Sequence, residues 1–288
     1  MGGWSFEGPN PVVSCQCTLE LTQPLSPVAL ERIGGVHPRL IRDLPRKLEM
    51  RSFGPQFPGA VQIGPFGIHG TGGAFQPAGG GQQAPLAAVV MDVVSPAGVT
   101  VKALRASANQ IGFQVVSYPR WAEFWPLAER VLSTCLGAVE EAGGGNTVGG
   151  IVLEYEDVFT WKPAGESPQL RDLLREKTDF VPRQVRESTG PTHSFCGWVT
   201  AITEPIAGQR VDNLNLTVSV VGEETKAAIA ISQRIVFAEP VMASAAFGDT
   251  KLLEKLSAHA HDRNKDLLKE LLSDQMIAAI DGLSQDHA

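Results

Sequence analysis

The sequence predicts an α+β protein: an antiparallel sheet in two meanders, helices packed on one of its faces, and a long helix at the C-terminus. Three observations carry this. Several segments alternate apolar and polar residues with the period of a half-buried strand, while others repeat apolar residues with the period of a helix. The order strand, helix, strands, helix, strand, linker, strands, helix also lacks the strict alternation of a parallel fold.

Residues 12–21 set Val13, Cys15, Cys17, Leu19 and Leu21 against Ser14, Gln16, Thr18 and Glu20, the pattern of a first strand. Ser26 followed by Pro27 reads as an N-cap and first helical position. Val28, Leu30 and Ile33 begin an apolar face that breaks at Gly34-Gly35 and resumes with Leu40, Leu44 and Leu48, with Pro45 a second weak point. Over 53–85 the glycines (Gly67, Gly70, Gly72, Gly73, Gly79, Gly80, Gly81) cost too much backbone entropy for a continuous element, so a mobile loop beside a short strand is expected. Strands over 85–95 and 99–118, with turns near 95–98 and 108–110, complete the first meander.

Pro119-Arg120-Trp121 opens a helix whose apolar positions Trp121, Phe124, Trp125, Ala128, Val131, Leu132 and Cys135 lie on one side, and which ends toward Gly143-Gly144-Gly145. Residues 151–161 form a strand with Ile151, Leu153, Tyr155, Asp157 and Phe159 on one face and Val152, Glu154, Glu156 and Val158 on the other. Residues 162–192 are polar and punctuated by proline, with one short helix at 169–176. Strands at 194–203, 213–221 and 227–237 make the second meander. Asp249 is placed to cap a run over 250–283 in which Leu252, Leu253, Leu256, Ala260, Leu267, Leu268, Leu271, Leu272, Met276 and Ile280 form a wide apolar stripe. Such a stripe demands burial against the sheet or a partner chain. The expected organisation is an N-terminal α+β half over 1–161, a linker region over 162–192, and a three-strand meander plus helix over 193–288, or one continuous domain.

The totals narrow the function classes. Net charge is −7 with acidic and basic residues interspersed, so no electrostatic footprint for a phosphate backbone is visible and nucleic acid is not expected as a partner. The four cysteines, Cys15, Cys17, Cys135 and Cys196, are scattered, and the first residues show neither a basic nor an apolar leader region. A reducing, cytoplasmic setting is the expectation. No apolar run reaches the roughly 18 residues of a membrane span, and Asn215-Leu216-Thr217 is a glycosylation sequon falling on an expected strand.

Each motif has a plain structural alternative. Gly67-Ile68-His69-Gly70-Thr71-Gly72-Gly73 lacks the Gly-Lys-Ser/Thr and following helix of a phosphate loop, which makes it a connector. Cys15 and Cys17 share a strand face, but a structural zinc site wants four ligands, so both read as small buried hydrophobes. Glu154 and Glu156 share a face and suit either an acid/base pair or a solvated surface. Asp157 falls on the apolar face, where an unpaired carboxylate is expensive. His193 and Cys196, three apart on a strand, point to opposite faces, and His259 and His261 are too close in sequence to share a helix face, so both histidines read as surface residues. Tyr118, Trp121, Phe124 and Trp125 form the densest aromatic group, at the spacing of a core hinge or a ligand platform.

Asn10-Pro11-Val12-Val13, Leu44-Pro45, Tyr118-Pro119-Arg120-Trp121-Ala122-Glu123-Phe124, Leu153-Glu154-Tyr155-Glu156-Asp157-Val158-Phe159 and Leu271-Leu272-Ser273-Asp274 occur in an order that resembles a sporadically distributed family of uncharacterised prokaryotic proteins. That family shows an N-P-P-V start, a Y-x-x-W-x-x-F helix entry, an L-R-Y-I-N-like strand and an amphipathic C-terminal helix. Here Glu154 stands for its Arg and Asp157 for its Asn. The resemblance implies no catalytic residue, and its patchy distribution suggests an accessory protein of a mobile or phage-defence locus.

The sequence therefore leads to a protein-binding or assembly subunit that engages a protein partner or its own copy as a homodimer or larger homo-oligomer. Tyr118, Trp121, Trp125, Glu154, Asp157 and His193 are the candidate interaction residues. No catalytic residue, metal ligand or cofactor is nominated. The alternatives are a small-molecule or nucleotide-processing enzyme with an acidic site, marked by convergence of Glu154, Glu156, Asp157 and His193, and a chaperone-like antitoxin or immunity protein.

Overall fold

In the chain's computed structural model, residues 3–7, 11–51, 63–64, 67–68, 84–143, 145–162, 168–221, 223–248 and 251–280 are described. The alternating segments become strands: β1 (Gly3–Ser5), β2 (Val12–Leu21), β3 (Arg46–Arg51), the two-residue β4 (Ile63–Gly64) and β5 (Gly67–Ile68), β6 (Leu86–Val94), β7 (Thr100–Ser107), β8 (Gln110–Val116), β9 (Thr147–Lys162), β10 (Thr192–Ile202), β11 (Gly208–Val221) and β12 (Glu224–Met242). Apart from the β4–β5 pair they form one sheet of ten strands, ordered β10-β11-β12-β9-β2-β8-β7-β6-β3, with β1 added along β9. Every pairing is antiparallel.

The two meanders, β6-β7-β8 and β10-β11-β12, are joined by β2 and β9 at the middle of the sheet, with β3 added outside β6. Tight turns close the first meander, and Ala108 and Gly98 take the left-handed backbone those turns need (φ 47° and 81°). Most of the glycine-rich stretch expected to be a loop lies outside the described residues.

Helices α1 (Pro27–Gly35), α3 (Trp121–Glu141), α6 (Ala243–Ala246) and α7 (Leu252–Leu271) lie on one face of the sheet. α1 begins as read, with the Ser26 hydroxyl accepting from the Ala29 N–H and Pro27 at the first position. After it, α2 (His37–Leu40) lasts one turn. Leu48 does not continue that helix: Pro45 cannot donate the next hydrogen bond, and the chain leaves as edge strand β3, where Leu48 is exposed. α3 buries Phe124, Trp125, Ala128, Val131, Leu132 and Cys135 of the expected stripe, leaves Trp121 half-buried and continues the stripe through Leu136 and Val139.

The C-terminal stripe is docked on the chain's own sheet, with Leu253, Leu256, Ala260, Leu267, Leu268 and Leu271 buried, each leucine worth about 1.5–3 kcal/mol of burial. Two boundaries differ from expectation. Asp249 lies outside the described residues and the N-cap position is Lys251, in left-handed backbone without a side-chain cap. The helix also ends at Leu271: Leu272 is extended and forms a bridge with Leu174, and a separate short helix, α8 (Asp274–Ala279), starts behind the Ser273 cap. The polar stretch before β10 carries α4 (Leu170–Leu173) and α5 (Arg183–Arg186), and its Leu170, Leu173, Leu174 and Val181 are buried beneath this junction. No helix among the described residues is long and apolar enough to cross a membrane.

Candidate functional site

Buried side chains divide into two clusters. One lies under α1, α3 and the first half of α7, and the other under the second half of α7, α4 and α8. Three elements cross from one to the other, and each carries polar residues at the crossing. β9 passes from Tyr155 through Asp157 to Phe159; β12 passes from Ile235 through Gln233 to Ile231; α7 passes from Ala260 through His261 and Asn264 to Leu267. Asp212 on β11 stands opposite Gln233. A polar seam thus runs under α7.

The aromatic group expected at the start of α3 closes one end of this seam. Trp121 stacks on His261 with ring centroids 4.4 Å apart and planes 7° from parallel, and also stacks on Trp125. Tyr118 meets Tyr155 edge-on at 5.7 Å. The Tyr155 hydroxyl lies 2.7 Å from His261 Nδ1. His261 is therefore a buried core partner, correcting its reading as a surface histidine: α7 turns it toward α3 and β9, while His259 stays exposed with its Nε2 3.0 Å from Arg210 Nη1. At the other end, Arg210 Nε donates to Asp212 at 3.0 Å and Arg263 approaches the same carboxylate at 4.0 Å.

Burial governs the titration of these groups. It pushes the Tyr155 hydroxyl well above its usual value and the Cys15 thiol likewise. Asp157 is fully buried, neither carboxylate oxygen has a hydrogen-bond partner among the described residues, and desolvation followed by repulsion from Glu156 raises it to about 7. Thiol and phenol are both held in their neutral, unreactive forms. The seam locks α7 onto the sheet through stacking and hydrogen bonding.

The remaining expected residues fall elsewhere. Glu154 is exposed on the face opposite the helices. Glu156 shares that face but is not solvated: it is 6 % exposed, with Ser14 Oγ 3.5 Å from its carboxylate, and burial raises its pKa. His193 sits on β10, separated from β9 by β11 and β12, with its ring nitrogen 3.2 Å from Thr217 Oγ1. Tyr118, Trp121 and Trp125 come together at the seam and Asp157 lies within it, but Glu154 and His193 do not join them.

A second feature lies at the sheet's edge. β10 is a terminal strand of 11 residues, Thr-His-Ser-Phe-Cys-Gly-Trp-Val-Thr-Ala-Ile, without a charge, a proline or a bulge, and its register with β11 is unbroken. No backbone hydrogen bond reaches its outer side among the described residues. Phe195 and Val199 stand 63 % and 62 % exposed on the uncovered face, whereas Trp198, on the helix side, stacks on Phe180. The other edge, β3, is built differently. Arg46, Lys47, Glu49 and Arg51 occupy four of its six positions, and Arg46 pairs with the buried Asp92 through two bonds of 2.6 Å. Charge on an edge strand blocks pairing with another sheet, and a long uncharged edge invites it.

The fold and these two features define an α+β protein with a polar seam in its interior and, among the described residues, one sheet edge without charge or cover. No family model matches the chain, and no curated protein or solved structure does so.

Proposed function

We propose that the chain is an assembly subunit that binds protein by strand addition at β10. The observation that carries this is the contrast between the two sheet edges: β3 is guarded by charge, while β10 offers unpaired backbone flanked by exposed Phe195 and Val199. Backbone hydrogen bonds supply the affinity in this mode, and the side chains alternating along the strand supply specificity. The interior seam, with its thiol and phenol held neutral, serves to keep α7 and the sheet rigid behind that edge.

Site-specific photocrosslinking in cells tests the reading. With a benzophenone side chain at position 195, a discrete protein adduct is expected; at Leu48 on the opposite edge none is. Val199→Lys in the position-195 protein should remove the adduct, because a lysine beside the new strand guards the edge. Equal labelling from both edges, or none from position 195, would defeat the proposal.

A further inference from the structure

The edge strand also indicates who the partner is, and this step rests on the strand-addition reading above. We infer that β10 pairs with β10 of a second copy, antiparallel, about a two-fold axis through Gly197, to give one continuous sheet across the dimer.

A closed pair of identical chains needs a surface complementary to itself. For antiparallel strands this means that residues equally spaced on either side of the axis must suit each other. Around Gly197 they do. On the uncovered face Phe195 meets Val199 of the second copy, and the reverse, so the two large exposed apolar side chains of the strand are matched in one step. Aromatic against β-branched pairs are among the favourable cross-strand contacts. On the helix side Cys196 meets Trp198. Ser194 meets Thr200, a hydroxyl pair, while His193 meets Ala201 and Thr192 meets Ile202. No like charges are brought opposite one another, because the strand contains none.

The glycine at the axis has a structural purpose in this arrangement. The Phe195 ring already leans over it: a Cβ on Gly197 would stand 3.3 and 3.4 Å from two ring carbons and 2.8 Å from Asn213 Oδ1. In the dimer the two glycines lie side by side, and the two phenyl rings lean toward each other over the gap and fill it. Other partners would have to be chosen by charge or by a pocket, and β10 carries no charge with which to select one.

The chain contains its own probe. Cys15, Cys17 and Cys135 are fully buried, while Cys196 is partly exposed. In the inferred register the two Cys196 residues are diagonal neighbours across the axis, with Cα atoms about 7–8 Å apart. A short bis-maleimide should therefore join the native chain to itself through Cys196 alone, as read by peptide mass spectrometry.

The test combines that cross-link with sedimentation of the full chain at micromolar concentration. The expected result is a dimer mass, a Cys196–Cys196 cross-link, and self-association weakened by roughly tenfold or more in Val199→Lys. Leu48→Lys, on the other edge, should leave the dimer intact. An unchanged circular dichroism spectrum and a cooperative thermal transition show that Val199→Lys folds. A dimer indifferent to Val199→Lys, or cross-linked through another residue, overturns the inference. A monomeric chain overturns it too, and the position-195 photoadduct then separates the cases. An adduct with a different protein leaves strand addition standing without self-pairing, and the lack of any adduct removes both.

Discussion

A carboxylate enclosed by apolar side chains costs free energy chiefly in its charged form, and Asp157 bears that cost at the centre of the sheet. It lies between Tyr155 and Phe159 on the face under α7, has no hydrogen-bond partner for either oxygen among the described residues, and is raised from 3.8 to about 7 by burial and by Glu156. The native state therefore keeps a proton that the unfolded chain gives up. Stability is greatest below the unfolded value, near 3.8, and falls as pH rises toward the folded value, near 7. Asp157→Asn removes this titration without changing shape. Above pH 7 the variant should be more stable than the native chain, by at most roughly 4 kcal/mol, with the advantage vanishing in acid. Urea denaturation across this range checks it. Glu156, also raised by burial, leaves a slope of the same sign in both proteins, and parallel profiles would mean that Asp157 is solvated or paired.

At the scale of an element, the joint between α7 and α8 shows how local contacts override a continuous apolar pattern. The Leu271 and Leu272 carbonyls accept from Arg175, through its backbone N–H at 2.8 Å and its Nε at 3.0 Å. The Ser273 N–H donates to the Leu173 carbonyl at 2.9 Å, and its hydroxyl donates to the Asp172 carbonyl while accepting from the Met276 N–H. Ser273→Ala should cost about 1 kcal/mol. Amide exchange should quicken at Met276 and Ile277 while the middle of α7 stays protected; exchange that quickens evenly along α7 would show that the two helices act as one. Periodicity could not reveal this break, since Leu271, Leu272, Met276 and Ile280 are buried on both sides of it. β2 and the start of α1 were legible because everything that defines them is local: one face against the other, and a serine before a proline. The seam was half legible. Ser257, His261 and Asn264 form a polar line within the apolar stripe, but the meaning of His261 depends on Tyr155, 106 residues away. In the same way the lack of charge in β10 is plain in the sequence, whereas its place at an edge follows from a strand order that only the folded sheet displays.

Across the whole molecule, that strand order makes β9 the member on which both meanders hang. Over 148–157 it pairs with β2 on one side and with β12 on the other, so loss of β9 takes the inner neighbour from the second meander and cuts the first, which is paired to β2, from the rest of the sheet. The clusters follow the same plan: Ile235 and Phe237 of β12, with Leu253 and Leu256 of α7, pack into the cluster that also holds α1 and α3. A chain built this way should unfold in one step although its length would permit two domains. Gly150 is the position to probe. It lies on β9 between β2 and β12, and an added Cβ would stand 2.6 Å from the Ile235 carbonyl oxygen and 3.2 Å from Glu20 Oε2. The first of these is backbone, which cannot rotate away. Gly150→Ala should therefore destabilise by about 1–3 kcal/mol and shift a single calorimetric transition to lower temperature. Amides of β7 and β8 should lose protection together with those of β11 and β12. If β11 and β12 stayed protected while the first meander opened, β9 would belong to the second meander alone; coincident loss across all four strands means that the sheet, from the charged edge to the open one, is a single cooperative body. Rigidity of that kind is what strand addition at β10 requires, because a template strand that frays with its own sheet cannot hold another in register.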